Sequence, residues 1–147
     1  MKVVDANVLL YAVNADAPHH ESSRRWLDSA LSGADRVGLA WVPLLAFLRL
    51  STNVSIFPRP LAPQEAAAQV TDWLAAPGAV AIHPTARHAG LLAEMLSAAG
   101  AGANLVNDAH LACLALEHRG DVVTYDAAFG RFGSVTWHRP DDLLGTT

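Results

Sequence analysis

The sequence predicts an α/β fold in three layers, with helices on both faces of a central, mainly parallel sheet of four to five strands. Three observations carry this. Short apolar runs alternate with longer segments whose apolar residues fall at helical spacing. Proline and glycine punctuate the starts and stops of those segments. Hydrophobic residues make up 52% of the chain and charged residues 16%, the balance of a globular protein with its own core. At 147 residues the chain reads as a single domain over 1–147.

The elements follow in order. KVVD, residues 2–5, is a short buried strand, and Asp5 is placed to cap the apolar stretch NVLLYAVN. HHESSRRWLDSALS is a helix opened by His19 and His20, with Trp26, Leu27, Ala30 and Leu31 along one face. VGLAW is a strand, and PLLAFLRLSTN is a helix with Pro43 in its first turn. NVSIFPRPLAP, with three prolines, is a loop. QEAAAQVTDWLAA is a helix and AVAIH a strand. PTARHAGLLAEMLSAAG is a helix that runs out into AGAGAN, and NLVNDAHLACLALEHRG is a helix stopped by Gly120. DVVTYD and SVTWH are the last strands.

Composition excludes several classes. Cys113 is the only cysteine, so no internal disulfide forms and a reducing cytoplasm is compatible; inside LACLAL it reads as a small buried hydrophobe. The longest apolar stretch, VGLAWVPLLAFL, is well short of the roughly 20 residues a bilayer span needs. The first residues lack a signal-peptide layout, and a cytoplasmic location is expected. A net charge of −4 and a pI near 5.9 argue against a protein that coats nucleic acid electrostatically. They leave room for a nuclease whose acidic centre is neutralised by metal.

In a parallel α/β sheet, strand carboxyl ends and helix amino ends share one edge, where ligands bind. Asp5 ends the first strand, Asp126 ends DVVTY, and Asp108 lies in the first turn of the helix feeding that strand. All three are expected at that edge. The helices on either side of AGAGAN are both expected to lead away from it, with residues 98–107 climbing back. Extended, that piece spans up to roughly 33 Å, against roughly 22 Å for a fifteen-residue helix. Taken singly, each Asp is a plausible cap. Together they repel and raise one another's pKa unless a cation holds them. Hard oxygen ligands without thiolates suit Mg²⁺ or Mn²⁺, and such ions bridge to phosphate oxygens.

VDANVLLYAVN, WVPLLAFLRLSTN, NLVNDAHLACLALEHRG and VVTYDAAFGRF resemble, in order and across nearly the whole chain, the successive motifs of PIN-domain proteins, in particular VapC-like toxins of toxin-antitoxin pairs. The resemblance implies a PIN-like fold and a Mg²⁺- or Mn²⁺-dependent endoribonuclease acting on structured RNA such as tRNA or rRNA. It also implies a cognate antitoxin and a homodimer. By match of motifs, Asp5, Asp108 and Asp126 take the family's metal-binding acidic positions, with Asn7 and Thr124 beside them.

There are two departures: the helix Glu of the family stands as Ala46, and an acid two residues after the last Asp stands as Ala128. Fewer ligands weaken metal affinity, and a non-catalytic PIN-like module binding RNA or protein is the alternative. Glu94, Glu117 and Asp121 offer no replacement and read as solvated charges; His110 points to another helix face than Asp108. Arg49, Arg59, Arg131 and Arg139 are candidates for RNA phosphate. Trp26, Trp41 and Trp73 read as core, and Phe57 as the exposed aromatic suited to RNA stacking or antitoxin contact. A phosphatase or receiver domain would also put Asp at strand ends, but its site uses a later Lys, and the only lysine is Lys2.

Overall fold

The computed structural model describes residues 1–100 and 103–145. The elements are β1 (Lys2–Val4), α1 (Ala6–Val13), α2 (His20–Ser29), β2 (Val37–Leu39), α3 (Trp41–Ser51), α4 (Pro63–Ala75), β3 (Ala79–Ala81), α5 (His88–Ala99), α6 (Ala103–Glu117), β4 (Asp121–Val123), β5 (Trp137–His138) and α7 (Pro140–Leu143). A wide turn over Ala30–Ala34 extends α2, and a 3-10 turn over Ala127–Arg131 follows β4.

The sheet has five strands in the order β3-β2-β1-β4-β5, and every pairing is parallel. Each strand therefore needs a crossover, and the helices supply it on both faces. Strand alternation divides the core. Val3 and Val122 face α5, α6 and the residues around Phe129 and Phe132, whereas Val4 and Val123 face α1 to α4 and α7. Close approach at the sheet edge depends on glycine. A Cβ on Gly78 would stand 2.4 Å from the Ala30 carbonyl oxygen and 2.8 Å from that of Asp35, so only glycine lets β3 enter against the turn after α2.

Three expectations are corrected. Trp41 is the first residue of α3 rather than the end of a strand, because Ala40, still extended, is the N-cap and the chain turns helical directly after it. The four-residue helix α7 lies after SVTWH, where the sequence pattern assigns no element; Pro140 opens it and the Asp142 carboxylate accepts from the Arg139 backbone N–H. Most consequential, α5 and α6 run antiparallel. His88, at the start of α5, places Nδ1 2.6 Å from Oε2 of Glu117 at the end of α6, and His118 Nε2 donates to the His83 carbonyl at 2.9 Å. The chain thus descends before α5, and α5 itself carries it back to the strand carboxyl edge. The climb placed on residues 98–107 falls in part outside the described residues.

Glu117 is consequently no surface charge. Its side chain is fully enclosed, bonded by the Thr85 hydroxyl and backbone N–H as well as by His88. Burial alone would raise its pKa, but the bonds from Thr85 and His88 outweigh it and hold the carboxyl low.

Candidate active site

Asp5 is the half-buried N-cap of α1, its Oδ1 accepting from the Ala6 N–H at 2.7 Å. Its own N–H continues the ladder to the Val123 carbonyl at 3.0 Å, so β1 and β4 leave the sheet side by side. Thr124, completely buried after β4, donates its hydroxyl to Asp5 Oδ2 at 2.9 Å. The Thr124 hydroxyl oxygen in turn accepts from the Asp126 N–H at 2.9 Å and from Asn7 Nδ2 at 3.1 Å. Asn7 also donates to Asp5 Oδ2 at 3.2 Å and accepts the Tyr125 N–H at 3.1 Å. One hydroxyl and one amide thus tie two strand ends together and fix the Asp5 carboxylate against rotation. Beyond them, the Tyr125 phenol donates to Asp141 at 2.6 Å and its ring stacks on His19 at 4.1 Å, anchoring this segment to α2 and α7.

Asp5 and Asp108 line one pocket of about 140 Å³. Its other walls are Ala6, Val42, Pro43 and Ala46 on one side, and Asn107 and Leu111 on the other. Asp126 is exposed at the start of the 3-10 turn, where its Oδ1 accepts from the Ala128 N–H at 2.9 Å. It is not part of the pocket wall, yet its charge reaches both of the others. Burial, with the Asp126 charge adding to it, raises the Asp5 carboxyl despite the opposing bonds from Thr124, Ala6 and Asn7. Burial, then the charges of Asp5 and Asp126, push Asp108 up to about 6. Among the described residues no cation pairs with any of the three.

The donor set fits a hard divalent ion: oxygens alone, mutually repelling, at the open end of the sheet. Among the described residues no three His, Cys, Asp or Glu side chains close around a point as a ready-made metal cage. Asp5 and Asp108 line the open pocket and Asp126 lies outside its wall, so an ion held there would keep several waters.

Ala46 stands on the pocket wall, as the motif comparison required of the position where a Glu is missing. The arginines separate. Arg49 is exposed on α3, with no ion-pair partner among the described residues. Arg59 is held at the surface by Asp16, at 2.7 and 2.9 Å, and Arg131 lines a different cavity, of about 370 Å³, with Glu94 and Phe132. Two aromatic expectations are reversed. Phe57 is 5% exposed and packed away, whereas Trp41 is 44% exposed. Asn107, beside Asp108 in the chain, is a wall residue the sequence reading passed over; its place in the first turns of α6 was the available signal. His110 is engaged elsewhere, with Nδ1 2.8 Å from His88 Nε2.

The PIN-domain family model matches residues 2–135. The chain is 66% identical to ribonuclease VapC37 of Mycobacterium tuberculosis over 144 residues, 98% of this chain and 100% of that one. It is 39% identical to ribonuclease VapC31 of the same species over 95% of this chain and 99% of the relative. Among solved structures, VapBC2 from Rickettsia felis bound to a promoter DNA fragment superposes with a TM-score of 0.67 at 18% identity, covering 94% of this chain and 97% of that one. M. tuberculosis VapC20, described as a toxin that cleaves the sarcin-ricin loop, superposes with a TM-score of 0.65 at 16% identity, covering 88% and 93%. These two likenesses are of fold.

Proposed function

This chain belongs to the PIN-domain family, with VapC ribonucleases as full-length relatives, and on that premise we propose that it is a toxin ribonuclease, an endonuclease that hydrolyses phosphodiester bonds of structured RNA, tRNA or rRNA. The observation that carries the reading is the pocket shared by Asp5 and Asp108, with Asp126 close enough to raise both pKa values and no protein cation to relieve them. Asp5, Asp108 and Asp126 would hold Mg²⁺ or Mn²⁺. When bound, such an ion supplies a water of lowered pKa and compensates charge at the scissile phosphate.

The chain's own residues do the rest. Thr124 and Asn7 hold the Asp5 carboxylate in one rotamer, so its oxygens need no reorganisation when substrate arrives. Thr124 also couples Asp5 to the Asp126 backbone. Asp108 sits in the second turn of α6 and completes the anionic wall. None of the three acts as a covalent nucleophile.

A cognate antitoxin is the partner that would hold this activity in check; the solved structures that share the fold include VapBC2 of Rickettsia felis and VapBC-1 of Haemophilus influenzae. A cytoplasmic homodimer belongs to the same reading. Among the described residues no helix is long and apolar enough to cross a membrane.

Ala46 on the pocket wall favours one other reading, a module that binds RNA or protein without cutting. The two are separated by one experiment. Asp5→Asn and Asp108→Asn are expected to abolish divalent-dependent RNA cleavage while circular dichroism shows the fold intact. Cleavage by either purified variant at the wild-type rate would remove the mechanism, and an inert wild-type chain that still binds RNA would establish the module.

A further inference from the structure

We propose that the exposed flank of α3 positions RNA for the acidic pocket: the Trp41 indole stacks on a base, and Arg49 takes a backbone phosphate of the same strand. This rests on the ribonuclease reading and adds to it the residues that hold the substrate.

The chain spends its other indoles differently. Trp26 and Trp73 are 5% and 6% exposed, and Trp137 packs against the core from β5. Trp41 is 44% exposed, and among the described residues it has no aromatic partner. With the exposed Leu45 one turn on, Trp41 makes an exposed apolar stripe rather than a lone exposed side chain. Its place is specific: Trp41 opens α3 at the strand carboxyl edge, and the next residue, Val42, is already pocket wall together with Pro43 and Ala46.

From there the flank leads away from the pocket. Leu45, 54% exposed, follows one turn on, and Arg49 one turn further. Among the described residues Arg49, like most of the arginines, has no carboxylate partner; its place two turns from Trp41 on α3 sets it apart. The rise from Trp41 to Arg49 is about 12 Å along the helix, a span of a few nucleotides.

The small size of the pocket gives such a flank a role. An ion held by the three carboxylates would compensate charge only at the scissile phosphate, so the rest of the strand has to be held by groups outside the pocket. Stacking is indifferent to charge and, on single-stranded segments, is the main grip a protein has on bases. One unpaired guanidinium two turns away supplies the matching contact for phosphate.

The test uses the full chain and a fluorescein-labelled RNA hairpin with a single-stranded loop, titrated with magnesium present in an Asp108→Asn background that binds without cutting. Trp41→Ala is expected to weaken binding roughly tenfold, Trp41→Phe to restore most of it, and Arg49→Ala to weaken binding and flatten its salt dependence by about one counterion. The hairpin is expected to quench intrinsic tryptophan fluorescence, and Trp41→Phe to remove that quenching. With Asp108 intact, Trp41→Ala is expected to raise KM for RNA cleavage more than it lowers kcat.

Unchanged RNA affinity in Trp41→Ala overturns the proposal. So does loss of the wild-type oligomeric mass or of antitoxin capture in that variant, which would give the face to a second copy or to the antitoxin. The two readings fail separately. If the wild-type chain cuts no RNA but Trp41-dependent hairpin binding persists, the ribonuclease reading falls and this surface stands. If cleavage persists and Trp41→Ala is normal, this surface alone falls.

Discussion

Asp108 carries the tension of the site in one side chain. Its carboxyl is pushed from an ordinary 3.8 to about 6, first by burial and then by Asp5 and Asp126. The folded chain therefore binds more protons than the unfolded one between those values, and stability falls as pH rises through that window and stays lowered above it. Without metal, Asp108→Asn is expected to melt higher than wild type at about pH 7, with the gap closing towards about pH 4. Magnesium is expected to raise the melting temperature of wild type and not of the variant. A gap of the opposite sign in thermal unfolding would mean that Asp108 is stabilised by a partner rather than strained. Ala46 is the complementary case. Because it already forms pocket wall, Ala46→Glu adds an oxygen ligand where Asp5 and Asp108 face. Calorimetric titration with Mn²⁺ is expected to show tighter binding, by a fold-change of about ten or more, and unchanged affinity would show that the position lies beyond reach of the ion.

Among the elements, the α5–α6 hairpin and the ends of β1 and β4 do separate work. The strand ends build the site, through Thr124 bridging Asp5 to Asp126. The hairpin holds α6, and with it Asp108, by a clamp at the opposite end. There Glu117 is enclosed and bonded to Thr85 and His88, and His88 to His110. Glu117→Ala leaves the buried His88 nitrogen and the Thr85 donors without their acceptor. A loss of about 1–3 kcal/mol is expected in urea unfolding, with RNA cleavage under native conditions close to wild type because the clamp is distant from the pocket. A variant that unfolds like wild type would show that water replaces the carboxylate there.

For the molecule as a whole, topology converts scattered residues into a site. An all-parallel sheet sends every strand the same way, so Asp5 and Asp126, distant in the chain, must emerge at one edge. Local pattern made the strands and the capping by Asp5 and Asp126 legible in the sequence. The Ala46 departure was legible there as well. It failed where a residue's surroundings come from elements far away in the chain. Glu117 reads as a surface charge on any helix, and becomes buried only because α5 is antiparallel to α6. Phe57 in a proline-rich loop reads as exposed, and packs inward at 5% exposure. Trp41 reads as core by hydrophobicity, yet helix α3 begins at it and leaves the ring in solvent. Periodicity and capping are properties of neighbouring residues, so the sequence alone determined the fold class and the acidic character of the strand ends. Burial, pairing and helix direction are sums over distant contacts, and for that reason only the tertiary structure decided which carboxylates share a pocket, which acid is locked away, and which aromatic ring is left facing water.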